Sequence, residues 1–152
     1  MRTVQLNEGL EALGTCDAEC CGVFCYSGLE SVVLPRTLRL VGKDAFSSCK
    51  ALKTVTFAEG LQVIGRYAFS GCAIEVAAFP ASVEEIQERA FFDNPLKEVT
   101  FREGSKLRTV EDCVFGRERS NGVKLTRDDV KFPDVAQVSE TAFGSSYFSF
   151  GQ

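Results

Sequence analysis

A phrase recurs along this chain. Its cleanest copy is Ile64-Gly65-Arg66-Tyr67-Ala68-Phe69-Ser70-Gly71-Cys72, or I-G-x-x-A-F-x-x-C. Val41-Gly42-Lys43-Asp44-Ala45-Phe46-Ser47-Ser48-Cys49 precedes it by one period, and Ile86-Gln87-Glu88-Arg89-Ala90-Phe91 follows by one. The phenylalanines Phe24, Phe46, Phe69, Phe91, Phe115 and Phe143 are 22, 23, 22, 24 and 28 residues apart. A period in the low twenties is that of a repeat solenoid, in which each unit buries its apolar side only against its neighbours. Function in such a chain belongs on stacked surfaces rather than in a buried pocket.

Each unit has two halves. The first is a six-residue segment with apolar residues at positions one, four and six, clearest in Leu52-Lys53-Thr54-Val55-Thr56-Phe57. Residues 29–34, 74–79 and 96–101 share it, residues 1–6 fit it, and residues 127–132 fit only through Val130 and Phe132. Positions four and six alternate with polar neighbours, the period-2 pattern of a strand with one buried face. The second half runs from Val41, Ile64, Ile86, Val110 or Val138 to a Phe five residues on, a constant step that implies a fixed local conformation. Pro35, Pro80 and Pro133 each follow a strand's last apolar residue, and Gly60 and Gly104 lie in the equivalent stretch of other units. Proline ends a ladder because it has no N–H, and glycine permits a tight corner. Residues 83–91 also carry apolar side chains three and four apart, so a short helix and a second strand both satisfy the second half.

These motifs resemble the BspA-type leucine-rich repeat family, with its strand L-x-x-V-x-F/I-P followed by V/I-x-x-I-G-x-x-A-F-x-x-C. The resemblance extends from Met1 to about Phe143. It implies a curved stack of about six short parallel strands, with turns, short strands or short helices on the convex side, and a role in adhesion or protein–protein recognition. The chain departs from the pattern in a Cys-rich insert at 15–22, in the region 116–128, and in losing the terminal Cys after Phe91, Phe115 and Phe143. We read residues 1–152 as one domain, closed by an aromatic tail at 144–152.

Stacking the strands in register aligns their second residues, Arg2, Glu30, Lys53, Glu75, Lys97 and Asp128, in a column whose signs alternate without a break. At a strand spacing of about 4.8 Å, each charge has opposite neighbours, which specifies register and opposes recruitment of a single highly charged ligand. The columns beside it are small and neutral in the middle and charged toward the C-terminal end. Val33, Thr56, Ala78 and Thr100 are the candidate lining of a docking strip, with Glu98 and Asp129 setting its polarity.

Cys49 and Cys72 stand three residues after their Phe and read as small buried hydrophobes. Cys16, Cys20, Cys21 and Cys25 form C-x-x-x-C-C-x-x-x-C, in a first unit whose Leu13-to-Phe24 step is eleven instead of five. Free thiols are the expectation. Four thiolates suffice for tetrahedral zinc, but this spacing differs from the paired C-x-x-C knuckles of structural sites, and disulfides require an oxidising compartment. The segment 116–122 is polar and glycine-bounded, expected as a solvated loop or a partner-contacting projection.

Composition narrows the function classes. The chain has no histidine, so the commonest general base is missing, and no catalytic constellation or nucleotide-binding glycine loop is present. We expect no enzyme activity, no cofactor and no small-molecule substrate. A net charge of −4 opposes nucleic acid binding, and no apolar run reaches the 18 residues of a membrane span. No secretory signal opens the sequence, which favours an intracellular setting. The expected function is a protein–protein interaction module. The alternatives are a structural subunit joined to a larger complex through an open N-terminal strand edge, and metal binding by the Cys cluster.

Overall fold

A computed structural model describes residues 2–14, 22–117 and 125–144. Strands alternate between two faces of a stack. The first face carries β1 (Thr3–Gln5), β3 (Ser31–Val33), β5 (Thr54–Thr56), β7 (Val76–Phe79) and β9 (Glu98–Phe101). The second carries β2 (Ala12–Leu13), β4 (Leu40–Val41), β6 (Val63–Ile64), β8 (Glu85–Ile86), β10 (Thr109–Val110) and β11 (Gln137–Val138). All pairings are parallel and join equivalent residues of successive units, as in Val32 with Val55 and Ile64 with Ile86. The fold is a leucine-rich-repeat solenoid in which each of the first five units lays one strand on each face. The segment 83–91 resolves to a two-residue strand and a turn.

The faces differ in continuity. On the second, β2, β4, β6, β8, β10 and β11 form one uninterrupted sheet. On the first, β1, β3 and β5 form one sheet, β7 and β9 another, and no ladder joins β5 to β7. The sixth rung departs further. Residues 127–129 form a 3-10 helix, so Asp128 and Asp129 leave the column and the strip in which the spacing placed them. The cause is local: the backbone N–H and hydroxyl of Thr126 both donate to Asp129 Oδ2, at 2.8 and 2.7 Å. A short polar side chain that bonds its own backbone competes with a strand ladder.

The I-G-x-x-A-F-x-x-C phrase builds the turn between the faces. Within a rung, Ala45 N donates to Gly42 O (3.3 Å), Ser47 N to Asp44 O (3.1 Å) and Cys49 N to Phe46 O (3.3 Å). Between rungs, Phe46 N donates to Ala68 O, Phe69 N to Ala90 O and Phe115 N to Ala142 O, each at 2.7 Å. The turns therefore stack by backbone hydrogen bonds as strands do. This geometry puts Asp44, Tyr67, Arg89 and Cys113 at φ between 55° and 57°, two residues before their Phe. A left-handed non-glycine residue costs roughly 1–2 kcal/mol, offset here by the inter-rung bonds that flank it. Gly65 meets a different demand. A Cβ there would lie 2.8 Å from Gly42 C and 2.9 Å from Val41 O, so stacking of the second-face strands needs a bare backbone.

The aromatic core has two ladders. Phe24, Phe46, Phe69 and Phe91 stack nearly face to face, with successive centroids 5.3, 5.1 and 5.1 Å apart, and Phe115 and Phe143 continue the row. Phe57, Phe79, Phe101 and Phe132, the sixth residues of the first-half segments, form the second row at 5.2–5.4 Å. The rows touch edge-on, Phe57 against Phe69 and Phe79 against Phe91.

The cysteines cap this core. Cys49 Sγ donates to Phe24 O at 3.0 Å and Cys72 Sγ to Phe46 O at 3.1 Å, each reaching back one rung to the carbonyl of the preceding Phe. In the next rung Asn94 replaces Cys and is the one buried polar side chain among the described residues. Its amide donates to Phe69 O (2.7 Å) and Phe91 O (2.9 Å), and its Oδ1 accepts from Ile74 N (3.1 Å). Phe69→Ala should cost about 3–5 kcal/mol by leaving a cavity in a packed row, read as a lower melting temperature. Asn94→Ala should cost about 2–3 kcal/mol by orphaning three buried backbone groups, and a loss below about half a kcal/mol in chemical denaturation would contradict that role.

Candidate functional site

The first face is where solvent meets variable residues. The inward position of each strand is apolar: Val32, Ala77 and Val99 are buried, and Val4 and Val55 pack against the core. Position three presents Thr3, Ser31, Thr54, Val76 and Glu98, aligned by Thr3–Ser31, Ser31–Thr54 and Val76–Glu98 pairing. Position five presents Gln5, Val33 and Thr56 in one sheet and Ala78 and Thr100 in the other. Thr56, Ala78, Thr100 and Glu98 are exposed and Val33 is half-buried. The predicted lining residues thus share one face, apart from Asp129.

The strip is divided where β5 and β7 fail to pair. No backbone hydrogen bond crosses between residues 53–57 and 75–79. The rung-4 chain is tethered earlier, by Ala73 N donating to Leu52 O at 2.9 Å. A groove of about 530 Å³ lies along this seam, lined by Lys53, Thr54, Val55, Ala73, Glu75, Val76, Ala78 and Pro95. Val76 is 52% exposed there, one of the few large apolar side chains left open to solvent. Spacing alone did not reveal the seam. The step from a Phe to the next strand's first apolar residue does not mark it either, being five into rungs 2, 4 and 5 and six only into rung 3, whose β5 pairs with β3.

The charge column is present from Arg2 to Lys97. Lys97 Nζ pairs with Glu75 Oε1 at 3.3 Å, both side chains more than half exposed. Lys53 and Glu75 flank the seam, and no ion pair joins them or binds Arg2 or Glu30 among the described residues. An exposed pair contributes at most about 1 kcal/mol, so this column does little to hold the fold and keeps most of its charge available.

On the second face, the carboxylates of Glu88, Glu111 and Asp112 border a shallow depression over β10 and β11. Each has partners within the chain. Arg66 binds Glu88 at 2.6 Å, Glu111 Oε2 accepts from Glu88 N at 2.7 Å, and Asp112 accepts from the Ser139 and Thr141 hydroxyls. Those hydroxyls, Ser139 first, hold the Asp112 carboxyl below its ordinary 3.8.

Cys16, Cys20 and Cys21 lie outside the described residues, as does the middle of the 116–128 loop. Among the described residues, no group of His, Cys, Asp and Glu is arranged to hold a metal ion. Cys25 is half-buried. Cys49, Cys72 and Cys113 are buried free thiols. Contact with Cys49 and then burial push the Cys72 thiol upward, and burial pushes up Cys113, both away from the reactive thiolate. No helix among the described residues is long and apolar enough to cross a membrane.

Parallel rungs stacked in register around an aromatic ladder, with strand faces turned outward, define a repeat solenoid of the leucine-rich type. The BspA type leucine-rich repeat region matches residues 21–148 in six copies, and the chain belongs to that family. The family is one of repeat modules that mediate protein interaction. A crystallised leucine-rich repeat protein from Bacteroides ovatus aligns with 71% of this chain and 39% of its own length, at 16% identity and a TM-score of 0.46. This chain therefore spans well under half of that protein. No curated protein matches significantly.

Cys72 and Cys113 should resist iodoacetamide in the native protein and label fully in denaturant, as mass spectrometry will read. Because the folded pKa of Asp112 is depressed, its contribution to stability is present above about pH 4 and lost as pH falls through the folded value. Ser139→Ala with Thr141→Val should flatten that acid limb of the melting-temperature profile, and an unchanged limb would remove Asp112 from the account.

Proposed function

We propose that this chain is a non-enzymatic recognition module that docks a protein partner on its first strand face. Val33, Thr56, Ala78 and Thr100 form the contact strip, and Glu98 sets the polarity of its far end. The observation that carries this reading is the exposed run of small, neutral side chains at position five, fixed on strands whose other side is the packed core. Short side chains lose little conformational entropy on contact, and a rigid sheet pre-organises them, which lowers the cost of binding. Family membership supports a protein as the occupant.

A second reading has its own observation. β1 and β2 are the terminal strands of their sheets, and no described strand pairs with their outer edges. An unpaired edge is a template for strand addition from another chain, as in a structural subunit of a larger assembly.

The experiment compares the chain with its Thr56→Arg/Ala78→Arg variant as immobilised baits, identifying retained proteins by mass spectrometry. A partner held by the first bait and lost from the second, at equal melting temperature, supports the strip. Partners retained by both baits move the contact to the edge or the loops.

A further inference from the structure

We infer that the occupant of the strip is a second copy of this chain, docked face to face about a two-fold axis that runs along the β5–β7 seam. The inference rests on the reading of the strip as a docking surface and names its partner.

Symmetry and charge together lead to it. The column runs Arg2, Glu30, Lys53, Glu75, Lys97, alternating in sign. A two-fold axis parallel to the strands lays the column of one copy over the same column of the other with rung order reversed. An axis through β5 sets Lys53 on Lys53, Glu30 on Glu75 and Arg2 on Lys97, all like charges. An axis between β5 and β7 sets Lys53 on Glu75 and Glu30 on Lys97, every contact opposite and each occurring twice, as an isologous interface requires. The column is self-complementary there.

The structure singles out that line independently. The ladder is broken there, so Lys53 and Glu75 are not paired with each other within the chain and both stand beside the axis. Val76, 52% exposed, stands next to the same line and falls over Thr54 of the second copy. Threonine, serine and alanine elsewhere on the face permit the approach of about 10 Å at which stacked sheets pack, a gap that lysine and glutamate side chains span.

About that axis β3, β5, β7 and β9 overlap their counterparts, while β1 faces the sixth rung, which carries no first-face strand, so the contact is about 19 Å tall at a strand spacing of about 4.8 Å. Positions two to five span about 13 Å along a strand, and the contact buries roughly 500 Å² in total, well below a standard interface. The dimer is accordingly weak and concentration-dependent, and it loosens with salt because its charges lie at the rim.

Sedimentation velocity from about 10 µM to 1 mM tests it, in low and high NaCl. The chain should pass from monomer to dimer, with association at least about tenfold weaker at 0.5 M NaCl. Lys53→Glu alone or Glu75→Lys alone should abolish dimerisation over that range, since each creates two like-charge contacts. The swap Lys53→Glu/Glu75→Lys should restore it to within about threefold. That swap breaks the alternation inside each chain while rebuilding complementarity across the seam, so rescue cannot come from improved folding. A monomer at 1 mM, a salt-insensitive dimer, single variants that still associate, or a swap that stays monomeric each overturn the inference. An axis between β3 and β5 fails the last criterion, because there the swap sets the new carboxylate at position 53 on Glu30 and the new ammonium at position 75 on Arg2. If the chain is monomeric while Thr56→Arg/Ala78→Arg still loses a captured partner, the docking strip stands and only its occupant changes.

Discussion

The stack depends on one contact repeated: a Phe ring lying on the Phe ring of the neighbouring rung, at about 5.1 Å in the middle of the row. That spacing must agree with the strand spacing of the faces, and the turn makes it agree. Because Phe46, Phe69 and Phe115 each donate their backbone N–H to the next rung, ring and backbone repeat together. The left-handed residues two before Phe46, Phe69, Phe91 and Phe115, the bare backbone at Gly65 and the thiols that reach back to Phe carbonyls all serve that agreement. Each would be odd in an isolated turn. In a stack they are the conditions under which identical turns fit on one another.

The recurring half of the repeat was therefore legible in the sequence, because a periodic contact leaves a periodic residue. The Phe ladder, the parallel rungs and the buried roles of Cys49 and Cys72 follow from spacing alone. Asn94 did not announce itself, since it occupies a cysteine position in another chemical guise, and only its bonds to Phe69 O, Phe91 O and Ile74 N reveal the shared task. The sixth first-face strand was expected from Val130 and Phe132, and Phe132 does join the aromatic row. Its backbone nonetheless turns, because Thr126 and Asp129 satisfy each other locally. Periodicity reports which side chains reach the core, and the backbone path between them is decided by nearer bonds.

The seam shows the same division from the other side. Rung 4 keeps its phase in the aromatic rows, with Phe91 on Phe69 and Phe79 on Phe57, so the core crosses β5 and β7 without interruption. The second-face sheet crosses as well. Only the first face opens, where Ala73 rather than Glu75 holds the backbone bond into rung 4. A local loss of ladder is tolerated because apolar burial, rather than edge hydrogen bonding, carries most of the cohesion of a small domain.

That tolerance shapes what the surface can do. A face held rigid by its far side can lose a ladder bond, expose Val76 and separate two charges without disturbing the core. The alternating column does little for register: of its charges, only Lys97 and Glu75 close on each other among the described residues. Register inside a solenoid is already enforced by the rings and turns, which leaves the column free to specify a second alignment, that of the face with whatever lies over it. An alternating row selects its partner by phase rather than by net charge, so it discriminates between alignments that differ by a single rung. The geometry suits recognition of another regularly spaced, oppositely phased surface better than capture of a uniformly charged one.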